Sequence, residues 1–170
     1  GDAGDGAADA PAQAAGDRHD AAVESVEGFP LNPELEERLR ADTMRELISY
    51  AVGCVFGRYS VDKGGLILAN AGEGIAEYLR QVPEPTFMPD DDGILPITEE
   101  DDFPDDLANM VKRFVRTTLG DEHYDENIRF IEESIGKDIR SFMLKDFYRD
   151  HFKRYRKRPI YWMISSPSGA

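Results

Sequence analysis

Between residues 43 and 57 the sequence leaves little freedom of fold. Met44, Leu47, Ile48, Ala51, Val52, Val55 and Phe56 recur at three- and four-residue spacing, which places them on one face of an α-helix that must be buried. Thr43 and Glu46 have the form of a capping box, so the helix is expected to open at Thr43, and Gly57 supplies the stop. A shorter helix is expected from Asn32-Pro33 to about Arg40. The pattern returns from Pro104, where Leu107, Met110, Val111, Phe114 and Val115 form a stripe closed by Gly120. Asp121 is the expected cap of the next helix, with Tyr124, Ile128, Ile131 and Ile135 inward and Gly136 after it. Asp138 is the expected cap of a last one, which carries Ile139, Phe142 and Met143 and then Tyr148, His151, Phe152 and Tyr155. Pro159 ends it, and the β-branched, aromatic run Ile160-Tyr161-Trp162-Met163-Ile164 reads as a strand. Leu66-Ile67-Leu68-Ala69 is a strand or a buried loop. The fold class is therefore mainly α: a compact helical array with one or a few short strands and a disordered acidic N-terminal tail.

Charge divides the chain further. The net charge of −14 is concentrated in residues 1–28, which carry seven acids and one base, and in residues 84–106, which carry ten acids and no base. The remainder carries a net of +2. Residues 1–28 are Gly, Ala and Asp with almost no large apolar side chain, so ordering them would bury too little to offset the lost entropy. They are expected to form a tail or linker, and residues 29–170 a single mainly helical domain. Cys54 lies on the apolar helical stripe and is expected to be an inert core thiol. His19, His123 and His151 are scattered, with no zinc spacing, and no metal site is expected. No apolar run approaches the length of a membrane span, so a cytoplasmic protein with no membrane partner is expected.

Two weak motifs are set aside on their chemistry. Gly72-Glu73-Gly74 lacks the third glycine of a nucleotide-binding loop and reads as an ordinary turn. Asp90-Asp91-Asp92-Gly93 aligns with part of a calcium loop, but Met88 would occupy the first ligand position and prolines replace the preceding helix. It reads as an acidic surface loop. The working surface suggested by the residues is basic instead. Lys153, Arg154, Arg156, Lys157 and Arg158 crowd the end of the last helix, where they complement its dipole or face phosphates.

Three stretches, ELISYAVGCVFGRYSVDKGGL (46–66), DDDGILPIT (90–98) and KDFYRDHFKRYRKRPIYWMISS (145–166), together resemble one family. They are similar to the region downstream of the catalytic core in large adenine-specific DNA methyltransferases of the BREX and phage-growth-limitation defence type. The resemblance implies a parent enzyme that uses S-adenosylmethionine and reaches DNA, with other defence-system proteins as further partners. This sequence has neither the family's glycine-rich cofactor loop nor its Asn-Pro-Pro-Tyr motif; Asn32-Pro33 continues with Glu34. No catalytic or cofactor-binding residue is carried over. The expectation is a non-catalytic spacer or DNA-facing segment between catalytic core and target-recognition part, with the Lys153–Arg158 cluster toward the DNA backbone. The alternative is a protein-interaction or scaffold module with an acidic contact surface.

Overall fold

A computed structural model describes residues 32–164, and the acidic tail expected over residues 1–28 lies outside them. The chain divides between Glu36 and Glu37, inside its first helix. The helices are α1 (Pro33–Val55), α2 (Ile75–Gln81), α3 (Leu107–Leu119), α4 (Tyr124–Ile135), α5 (Ile139–Phe142) and α6 (Tyr148–Arg154). A π-helical turn, Met143–Phe147, joins α5 to α6. The mainly α class is as expected.

In the unit that begins at Glu37, the C-terminal half of α1 is the centre. Ile48, Ala51, Val52, Cys54 and Val55 pack with Met110, Val111, Phe114 and Val115 of α3, Ile131 and Ile135 of α4, and Ile139 and Phe142 of α5. Met143 and Phe147 of the π turn complete this core. Cys54 is buried as expected, and burial pushes its thiol up to about 11. A smaller cluster of Ile67, Tyr78 and Val82 lies under the loop that leads to α2. The 66–69 stretch is thus a buried loop, with Ile67 N–H donating to Arg58 O and Leu68 N–H to Gly57 O.

Three local expectations are corrected. No helix opens at Thr43: α1 is continuous, and the Thr43 hydroxyl donates to Leu39 O within it. Nothing between Arg40 and Thr43 breaks a helix, so the hydroxyl turns back onto the preceding turn instead of capping a new one. Asp121 does not cap α4, whose first residue is Tyr124 after His123. Its carboxylate accepts from Arg116 at 2.9 Å. The strand expected at Ile160–Ile164 is absent, as are strands anywhere among the described residues, because no neighbouring segment offers a ladder. Caps at Asp106 and Asp138 are made, with N–H donors Asn109 at 2.8 Å and Ser141 at 2.9 Å. Gly57, Gly120 and Gly136 end their helices at positive φ.

The π turn sets the aim of the last helix. Ile139, Met143, Phe147, His151 and Tyr155 follow one another at four-residue steps, which in a 3.6-residue helix drift by about 40° each. One π turn takes up an extra residue and removes a large part of that drift. Phe147 and His151 are therefore buried in line, with the half-buried Tyr155 ring against His151 at 4.6 Å, and Tyr148 and Phe152 are half-buried beside them.

Candidate nucleic-acid interface

The fold brings the 50–62 run and the 155–162 run together at one place. Gly53, inside α1, presents a bare Cα, and its carbonyl accepts the N–H groups of Arg58 at 2.8 Å and Tyr59 at 3.3 Å. That turn lays the Tyr59 ring against Gly53, and Tyr59 also stacks on Tyr50 with centroids 5.6 Å apart. From the other run, Tyr161 stacks on Phe56 at 4.8 Å, and the Tyr155 and Tyr59 hydroxyls meet at 3.3 Å. Burial and the neighbouring Tyr59 push the Tyr155 hydroxyl up to about 12. Burial also holds the Tyr161 hydroxyl far above its ordinary range, and that oxygen has no partner among the described residues. A cleft of about 250 Å³ opens beside the junction, lined by Glu46, Ser49, Tyr50, Tyr59, Arg154 and Tyr155.

His151 fixes the path of the chain beyond α6. It is fully buried, with the rings of Tyr155 at 4.6 Å, Tyr161 at 4.8 Å and Phe147 at 5.8 Å. Its Nε2 accepts the backbone N–H of Ile160 at 3.0 Å, so the neutral ring carries its proton on Nδ1, which has no partner among the described residues. Desolvation lowers its pKa, opposed by the Asp150 charge.

Between His151 and Ile160 the chain makes a strained reversal. Lys157 N–H donates to Phe152 O at 2.8 Å and Arg156 N–H to Lys153 O at 3.0 Å, the bonding of a Schellman end. Such an end needs a left-handed residue, normally glycine. Here Arg156 and then Lys157 adopt φ of 51° and 65°. Left-handed backbone costs each of these β-carbon-bearing residues about 1 kcal/mol or more.

The five cations separate into two groups. Arg154 is half-buried and donates to Asp150 at 3.0 Å and to Glu46 at 3.1 Å, tying α6 to α1. Lys153, Arg156, Lys157 and Arg158 are exposed and make no ion pair among the described residues. Arg149, exposed and four residues before Lys153, extends the basic face along α6; its i, i+4 spacing was the available signal. Beyond the turn, Trp162 and Ile164 are largely exposed.

The set-aside motifs have their own structural explanations. At Gly72–Gly74 the carboxylate of Glu73 accepts from Ala69 and Asn70, and that of Glu77 from Gly74. The N–H groups of Ala69, Asn70 and Gly74 are thereby occupied by the turn's own carboxylates. Asp90, Asp91 and Asp92 bring carboxylate oxygens within 4.8 Å of one another. Two of them close turns, Asp90 on Gly93 N–H at 2.7 Å and Asp92 on Ile94 N–H at 2.8 Å.

Comparison with known proteins agrees on the relatives. The chain is 44% identical over 149 residues to the adenine-specific methyltransferase BrxX of Escherichia coli O9:H4 (strain HS), a match covering 79% of this chain. It is 39% identical over 153 residues to the adenine-specific methyltransferase PglX of Lacticaseibacillus casei (strain Zhang), covering 80% of this chain. The BREX-type adenine-specific methyltransferases are thus its homologues, and the chain spans 12% of the length of each of these relatives. No protein-family model matches it. Among the described residues no helix is long and apolar enough to cross a membrane.

Proposed function

We propose that this chain is a non-catalytic segment of an adenine-specific DNA methyltransferase of a BREX-type defence system, placed between catalytic core and target-recognition part and facing the DNA backbone. The observation that carries the reading is the strained turn. Arg156 and Lys157 hold a conformation that glycine would adopt without strain, and their charges, with those of Lys153 and Arg158, meet no carboxylate among the described residues. A strained conformation retained with unpaired cations fits phosphate contact better than an internal structural role. Arg154 has the other task, since its guanidinium is committed to Glu46 and Asp150 and anchors the helix that presents the turn. Methyl transfer and S-adenosylmethionine belong to the parent's core, and the parent works in the cytoplasm on DNA alongside other defence proteins.

The test is DNA binding by the parent methyltransferase at several salt concentrations, with Arg156→Ala, Lys157→Ala and Arg158→Ala combined. Each lost phosphate contact lowers the salt slope by about 0.9 and weakens all sequences alike, because such contacts release counterions without reading a base. Target preference is retained. An unchanged slope in a folded variant refutes the reading.

A further inference from the structure

We infer that His151 is the positioning residue of this basic turn, acting through the Ile160 N–H rather than by touching nucleic acid itself. The inference rests on the proposed contact between the turn and DNA. Three observations converge on the imidazole. It is fully buried beneath the turn, although a histidine in that place leaves Nδ1 without a partner among the described residues. A phenylalanine would fill the same space between Phe147, Tyr155 and Tyr161 without that loss. What the imidazole adds is one acceptor, Nε2, and it receives the N–H of Ile160, the residue after Pro159. Helix hydrogen bonds hold the near side of the reversal, through Lys157 and Arg158 N–H to Phe152 O and Tyr155 O. The His151 bond holds its far side. The two ends together keep Arg156 and Lys157 left-handed and keep the three cations in one arrangement, so binding need not order them.

His151→Phe keeps the aromatic packing and removes the acceptor. His151→Gln removes the ring and keeps an acceptor at nearly the position of Nε2. In the 170-residue chain, hydrogen exchange at the Ile160 amide reads the latch directly: protection is lost by tenfold or more in H151F and retained in H151Q. In the parent methyltransferase, H151F weakens DNA binding about tenfold at fixed salt, and H151Q restores it. Equal Ile160 protection in H151F and wild type overturns the inference, as does a loss of DNA affinity common to both variants. Should H151F fail to fold, H151Q decides alone, because unprotected Ile160 in a folded H151Q chain also overturns it. The exchange measurement involves no DNA, so a failure of the DNA reading shows separately, as an unchanged salt slope in the triple alanine variant.

Discussion

The ring of Tyr59 occupies the space where Gly53 would carry a side chain: an added Cβ would lie 2.3 Å from Tyr59 Cδ2 and 2.7 Å from Cε2. Glycine inside a helix is unfavourable by about 1 kcal/mol relative to alanine, so its place here needs a reason of this kind. The ring cannot withdraw easily, because its hydroxyl meets Tyr155, its face stacks on Tyr50 and its backbone N–H bonds back to Gly53 O.

Gly53→Ala therefore sets about 1 kcal/mol of helix propensity against an overpacking cost of about 1–3 kcal/mol. We expect the clash to win, with a net loss of up to about 2 kcal/mol in urea unfolding. Gly53→Ala combined with Tyr59→Leu should recover part of it. Stability equal to or above wild type in the single variant would mean that the ring moves aside freely.

A second prediction concerns Arg140. Its guanidinium reaches the fully buried Asp106 carboxylate, Asp101 at 2.9 Å, and the carbonyls of Thr98 at 3.1 Å and Glu100 at 3.0 Å. One side chain thus fastens the acidic 98–106 loop to α5. Arg140→Ala strands the Asp106 charge in the core and should lower stability by about 3–5 kcal/mol. Asp106→Asn retains a capping oxygen for Asn109 and should lose less. Denaturant midpoints of the two variants check the order, and the reverse order contradicts it.

The third prediction concerns Asp62, whose carboxylate accepts Thr86 N–H at 2.8 Å and the Thr86 hydroxyl at 2.5 Å. These bonds hold its pKa below the ordinary value, the hydroxyl first and the amide next. A depressed carboxylate favours the folded state fully above its unfolded pKa of about 3.9, and that contribution is lost as pH falls through the lower folded value. The Thr86 amide should thus be protected at neutral pH and exposed in acid. Asp62→Asn should flatten that acid response, and an unaltered response would transfer the effect to other acids.

How much of this was legible in the sequence depends on how local each cause is. Helix stops at Gly57, Gly120 and Gly136 and the cap at Asp138 depend on a few adjacent residues, and they were readable. Thr43 misled because the same hydroxyl that caps a helix also bonds backward inside one. Ile160–Ile164 misled because a strand requires a partner that periodicity cannot supply. The basic cluster was visible as composition, but the separation of Arg154 from its neighbours was not. One partner of Arg154, Asp150, lies four residues before it, but the other, Glu46, lies 108 residues away in the chain. The pairing of His151 with Ile160 was hidden for a related reason: the turn between them is left-handed at two residues that carry no sequence signal for it.

The last prediction comes from that pairing. Burial lowers the His151 pKa, and Asp150 is the charge that opposes the shift; the other titratable neighbours, Tyr155 and Tyr161, stay neutral because burial raises both. For a histidine kept neutral by the fold, the stabilising contribution is complete above the unfolded value of about 6.5 and falls as pH drops below it, until the folded ring is protonated as well. A protonated imidazole has no acceptor and cannot hold the Ile160 N–H. Acidification from pH 7 toward pH 5 should therefore release the 156–164 segment before the core of α1, α3 and α4 opens. Amide exchange resolved by residue should show Ile160 losing protection with falling pH while Val52 and Val111, fully buried in that core, retain theirs. In His151→Gln the Ile160 response should be flat over the same interval, because glutamine does not titrate. Simultaneous loss at all three amides would show that the turn and the core open as one unit.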